Sequence, residues 1–142
     1  MRSLELRWLA RKDKYIRLPE VVFVEGVDYG GCWHYPRKKE KLIGGKYYSM
    51  DLGVISLNID FPEEHESSIA HEWRHVWQTY NWGEKQWHTP WGSEPHLSYK
   101  QQIVNYFSHD VREWDALLFT IKTAPRPHDL MWYRWVLEGR QE

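Results

Sequence analysis

The chain has 142 residues, of which 42% are hydrophobic and 27% charged, and its formal net charge is −1. These values are typical of one globular domain over residues 1–142, and they exclude a bulk electrostatic attraction to nucleic acid or membranes. The lone cysteine, Cys32, excludes an intramolecular disulfide and a cysteine-based zinc finger. No segment approaches 18 apolar residues and the N-terminus lacks a signal-peptide core, so we expect no membrane contact and a cytoplasmic protein.

The first 60 residues predict β-structure. Residues 21–24 are a β-branched and aromatic run, and residues 46–50 follow the Gly44-Gly45 pair. Residues 54–59 alternate with a period of two, which is typical of a strand. Residues 4–16 also fit a strand better than a helix.

The pattern becomes helical after residue 60. Asp60 as a cap, Pro62 in the first turn and two acidic residues after it predict a helix start, and Gly83 predicts its end. Apolar side chains recur at helical spacing between them, at Ile69, Trp73, Val76, Trp77 and Tyr80.

Residues 71–75 of this predicted helix read His-Glu-Trp-Arg-His. Histidines four residues apart lie on one face of a helix, one turn apart, so both rings can bind one Zn²⁺. Glu72 then lies beside the position of a reacting water. This HExxH pattern predicts a metal site built on His71 and His75.

The rest of the chain supplies candidates for a third ligand. Residues 82–96 predict a loop, and a long helix then begins after Ser98 and ends before Pro125, followed by a short helix over residues 128–137. Glu113 on the long helix is the first candidate, with His109 and Asp115 as alternatives. His109 lies four residues before Glu113, so the two side chains would share a face of one continuous helix.

The chain resembles the gluzincin branch of the zincin metallopeptidases. It shares with them the order of strands, an HExxH helix and then a helix that carries a glutamate, here in the sequence Glu-x-Asp-Ala. The likeness is to small bacterial and phage members, including the ImmA/IrrE-like group, and it covers residues 54–121. It implies an α+β zincin-like fold, zinc ligands His71, His75 and Glu113, and Glu72 as general base. Larger relatives carry an aspartate where this chain has Leu117, which leaves Asp115 as the nearest candidate to support a ligand histidine.

The resemblance implies a zinc-dependent hydrolase of protein or peptide substrates. A hydrogen-bond donor for the reaction's oxyanion would come from His109 or Tyr106, and residues 54–59 would bind the substrate as an edge strand. One alternative is a non-catalytic zinc-binding interaction or virion protein. A weaker one is nucleic-acid binding through residues 1–46, which hold eleven Lys and Arg against six Asp and Glu.

Overall fold

The computed structural model describes residues 16–83 and 96–140. The chain divides into two compact units, Met1–Glu84 and Lys85–Glu142. The described residues contain a small sheet and four α-helices, which confirms the predicted α+β class, although the sequence predicts three helices. All but the last residue of the predicted strand at residues 4–16, and most of the predicted loop at residues 82–96, lie outside the described residues. The single domain stays a prediction.

Over its described residues, 16–83, the first unit has five strands, which are β1 (Glu20–Val24), β2 (Gly31–His34), β3 (Lys41–Ile43), β4 (Lys46–Tyr48) and β5 (Val54–Asn58). Three of them form a sheet in the order β1-β5-β2, with β1 parallel and β2 antiparallel to β5. The sheet is therefore mixed. The prediction that residues 54–59 form an edge strand is wrong, because β5 pairs on both sides.

The alternation of apolar and polar residues along β5 does not mark a strand with one face in solvent. All five residues of β5 are buried, so the strand has no solvent-facing side. Its polar side chains are hydrogen-bonded inside the unit: Ser56 Oγ lies 2.8 Å from His34 Nε2 and 2.9 Å from Tyr29 Oη. Asn58 Nδ2 donates to the carbonyl oxygens of Val27 and Tyr29. Burial of these two polar residues is therefore offset by internal hydrogen bonds.

Strands β3 and β4 form a two-stranded antiparallel hairpin. Its two-residue turn is Gly44-Gly45, with φ angles of 58° and 84°, the left-handed backbone that a tight hairpin turn needs. A Cβ atom at Gly44 would also lie 2.8 Å from Val24 Cβ. Both the backbone conformation and the lack of space therefore require glycine at this position. The hairpin shares an apolar cluster with the sheet, formed by Val22, Val24, Ile43, Met50 and Val54.

The HExxH segment lies on α1 (His65–Trp82), which follows a 3₁₀ turn at Pro62–Glu64. Gly83 ends the helix at a φ of 84°, as predicted. The predicted cap is wrong: Asp60 lies before the 3₁₀ turn, and the residue at the N-cap, Glu64, makes no side-chain capping bond. The helix packs on the sheet, where Trp33 Nε1 donates to Thr79 Oγ1 at 3.0 Å.

In the second unit, residues 96–140 form three mutually packed helices, α2 (Tyr99–His109), α3 (Val111–Thr123) and α4 (Pro127–Arg140). The predicted long helix is wrong, because the backbone leaves helical geometry at Asp110, with φ −118° and ψ 98°. The predicted helix over residues 128–137 is confirmed, but it is not short: α4 has 14 residues and is longer than α2 or α3. The buried centre of this unit consists of Ile103, Phe107, Leu117 and Val136.

Within residues 16–83 and 96–140, no helix has both the length and the apolar character that crossing a bilayer requires.

Candidate metal centre

The two motif histidines approach each other on α1. Their Nε2 atoms lie 3.2 Å apart, and the ring planes are inclined at 80°. Two imidazole nitrogens bound to one tetrahedral zinc, each at 2.0–2.1 Å, would be about 3.4 Å apart. The rings of His71 and His75 therefore already have nearly the separation that a shared ion requires.

A carboxylate completes the group. One ligand atom from each of His71, His75 and Glu113 lies within 4.8 Å of the other two, so the group could hold a metal ion. Two imidazoles and one carboxylate are a donor set that suits zinc, which accepts both nitrogen and oxygen. Among residues 16–83 and 96–140, this group contains neither of the other candidate third ligands, His109 and Asp115.

Local sequence fixes the backbone that carries Glu113. Asp110 is 1% exposed and caps α3, where its Oδ1 accepts hydrogen bonds from the backbone N–H groups of Arg112 and Glu113, both at 3.1 Å. Glu113 is the third residue of α3 and is itself only 9% exposed. A carboxylate in the first turn of a helix is also favoured by the helix dipole. The break at Asp110 thus defines the start of the helix that holds the third candidate ligand.

Glu72 is held in a tight space beside the histidines. It is 8% exposed, and its Oε1 lies 3.9 Å from His71 Nε2. A Cβ atom at Gly31 on β2 would be 3.2 Å from Glu72 Cγ, closer than most such contacts. The absence of a side chain at Gly31 therefore leaves room for the glutamate between α1 and the sheet.

Tyr29 lies in the electrostatic surroundings of Glu72. Burial raises the pKa of Tyr29, its hydrogen bond with Ser56 opposes this, and charges on Cys32, Glu72 and Asp28 raise the pKa further. The phenol is therefore protonated and neutral at neutral pH. The sequence did not single out Tyr29, because its position relative to Glu72 depends on how the segment before β2 packs near α1.

Gln78 is a second residue that the sequence analysis missed. Its side chain is fully buried, and its Oε1 lies 2.9 Å from His75 Nδ1. The signal was present in the spacing, because Gln78 follows His75 by three residues and therefore shares its face of the helix.

The two predicted oxyanion donors have other local partners in the second unit. His109 is exposed at the end of α2, and its Nδ1–H donates to the carbonyl oxygen of Asn105 at 2.8 Å. Tyr106 is half-buried and packs edge-on against Phe107, with ring centres 5.0 Å apart. The break at Asp110 also removes the predicted helical face shared by His109 and Glu113. A catalytic role for either residue stays a prediction.

No family model, curated protein or solved structure matches this chain. The likeness to gluzincins therefore depends on the motif residues and on the His71, His75 and Glu113 group alone.

Proposed function

We propose that this protein is a zinc metallopeptidase in which His71, His75 and Glu113 bind the metal and Glu72 acts as general base. One observation supports the proposal above all: the Nε2 atoms of His71 and His75 lie 3.2 Å apart, and both histidines belong to one group with the carboxylate of Glu113. Three protein ligands are the number that a catalytic zinc uses, since its fourth position is kept for water or substrate.

In this proposal the metal and Glu72 have different roles in hydrolysis. Zinc, when bound, supplies Lewis-acid chemistry that makes water a nucleophile at neutral pH and polarises a carbonyl. Glu72 would accept a proton from the attacking water and deliver it to the leaving amine. Its confinement between α1 and Gly31 supports this role, because a general base must be held within hydrogen-bond reach of the proton it takes.

A panel of three variants tests the proposal. Zinc content is measured by elemental analysis, and hydrolysis is measured with a library of quenched fluorescent peptides. His71→Ala should lose both zinc and hydrolysis, because a two-ligand site binds zinc weakly. Glu72→Gln should keep zinc, and its hydrolysis should fall by roughly 10²–10⁴-fold, the usual contribution of a general base.

His96→Ala is the matched control, because His96 is exposed and is not a member of the metal group. It should retain both zinc and hydrolysis. Full zinc occupancy in His71→Ala would exclude His71 as a ligand. Unchanged turnover in Glu72→Gln would exclude the general base. A wild-type protein that holds zinc and cleaves nothing in the library would instead be a non-catalytic zinc-binding protein.

A further inference from the structure

We infer that Gln78 is a positioning residue that orients His75 for the metal, an inference that rests on the proposed zinc site. Gln78 Oε1 lies 2.9 Å from His75 Nδ1, and His75 Nε2 lies 3.2 Å from His71 Nε2. One ring nitrogen of His75 is therefore engaged by the glutamine, while the other faces the second histidine.

The helix itself supplies this alignment. At about 100° per residue, positions 71, 75 and 78 fall within about 60° of one another around the axis of α1. His71, His75 and Gln78 therefore form a single row, in which each side chain can reach the next. No second element is needed to bring Gln78 to His75, so the arrangement is a property of the sequence His-x-x-x-His-x-x-Gln.

The hydrogen bond decides which nitrogen of His75 carries its proton. An amide oxygen can only accept, so the contact with Gln78 Oε1 requires a hydrogen on Nδ1 of His75. A neutral imidazole protonated on Nδ1 has its lone pair on Nε2, and a metal binds the nitrogen that carries the lone pair. Gln78 therefore holds His75 in the tautomer and the ring orientation that zinc needs.

The burial of Gln78 supports a specific role over an incidental contact. Its exposed fraction is 0%, whereas glutamine is mostly found at protein surfaces. A buried amide is tolerated only where its polar atoms are hydrogen-bonded, and the ring of His75 satisfies the oxygen. Hydrogen-bond partners of this kind typically change metal affinity by 10–100-fold when they are removed.

The test measures metal affinity directly in the full-length chain. The zinc dissociation constant is obtained by competition with a chromophoric chelator, and the visible absorption of the Co²⁺-substituted protein reports the geometry of the site. Gln78→Met removes the acceptor at similar volume and should weaken zinc binding by 10–100-fold and alter the Co²⁺ spectrum. Gln78→Glu retains an acceptor oxygen and should keep zinc affinity at or above that of the wild type.

Asn81→Ala is the matched control, because it also removes a side-chain amide from α1, at an exposed position where Nδ2 donates to the carbonyl oxygen of Trp77. It should leave both the zinc dissociation constant and the Co²⁺ spectrum unchanged. Equal zinc affinity in wild type, Gln78→Met and Asn81→Ala would overturn the role of Gln78 while leaving the zinc site intact. A wild-type protein that binds neither zinc nor Co²⁺ would instead overturn the proposed function itself.

Discussion

His34 on β2 is buried in its neutral form. Burial, together with the positive charges of Lys41 and Arg37, lowers the pKa of His34 to about 4. Lys41 Nζ lies 3.0 Å from His34 Nδ1 and, having only donors, donates to it. The ring hydrogen is then on Nε2, where it donates to Ser56 Oγ at 2.8 Å. A proton added to Nδ1 would oppose the ammonium group directly.

This lowered pKa predicts a loss of stability in acid. The ordinary pKa of histidine is 6.5, so the unfolded chain binds a proton at this site at a higher pH than the folded chain. The stabilisation is complete above pH 6.5 and is lost as pH falls toward 4. At about 1.4 kcal/mol per pH unit, this interval corresponds to about 3 kcal/mol in the free energy of unfolding. Urea unfolding at a series of pH values from 7.5 to 4 measures it.

His34→Gln is the comparison for this prediction, because its amide can still donate to Ser56 but does not titrate. The free energies of unfolding of the wild type and the variant should converge as pH falls from 6.5 toward 4. Parallel pH profiles for the two proteins would show that His34 does not titrate as its surroundings require.

At the scale of single residues, sequence predicts contacts made along one helix better than contacts made across elements. His71, Glu72 and His75 were identified because their chemistry is encoded in the spacing of one helical turn. The hydrogen bond between His75 and Gln78 follows the same spacing and could have been predicted in the same way. The surroundings of His34 could not be predicted from spacing, because Ser56 and Lys41 reach it through the pairing and packing of separate strands.

At the scale of elements, Asp110 determines where α3 begins. Its carboxylate accepts hydrogen bonds from the backbone N–H groups of Arg112 and Glu113, two buried residues in the first turn, where a helix offers no intrahelical acceptor. Asp110→Ala should therefore lower the free energy of unfolding by about 1–2 kcal/mol, and Asp110→Asn should cost less because its amide oxygen can still accept. Urea unfolding monitored by circular dichroism gives both values.

Ser98 offers a control of the same kind at another helix. It caps α2 through a hydrogen bond from Gln101 N, in a reciprocal capping box, but at an exposed position. Ser98→Ala should cost less than Asp110→Ala, because water can replace an exposed cap. A cost for Asp110→Ala no larger than that for Ser98→Ala would show that the buried cap is not what stabilises α3.

The elements that sequence placed incorrectly are those whose local pattern fits two structures. Apolar residues continue at helical spacing on both sides of Asp110, so periodicity alone predicts one helix where the backbone makes two. Ser56 and Asn58 likewise gave β5 the alternation of a half-exposed strand, although internal hydrogen bonds allow both to be buried. Asp60 fits a cap by type, but the 3₁₀ turn at Pro62–Glu64 begins the helix instead.

At the scale of the whole molecule, the fold class followed from the change of period near residue 60. Strands precede that point and helices follow it, as the switch from alternation to helical spacing predicts. The order of the strands could not be predicted in the same way. Strand β1 pairs in parallel with β5, more than 30 residues further on, while β3 and β4 between them pair only with each other. Such non-local pairing leaves no periodic signal in the chain.

Metal binding should raise the stability of the folded chain, since the group of His71, His75 and Glu113 is assembled by folding. At a free zinc concentration 100-fold above the dissociation constant, the gain is about 2.7 kcal/mol, which corresponds to an increase of roughly 10 °C in Tm for a chain of this size. Differential scanning fluorimetry after chelator treatment, with and without added zinc, measures the shift. Mg²⁺ should have little effect, because two imidazoles suit it poorly. A comparable zinc shift in Glu113→Ala would mean that the third ligand lies elsewhere, because removal of a true ligand must reduce the affinity on which the shift depends.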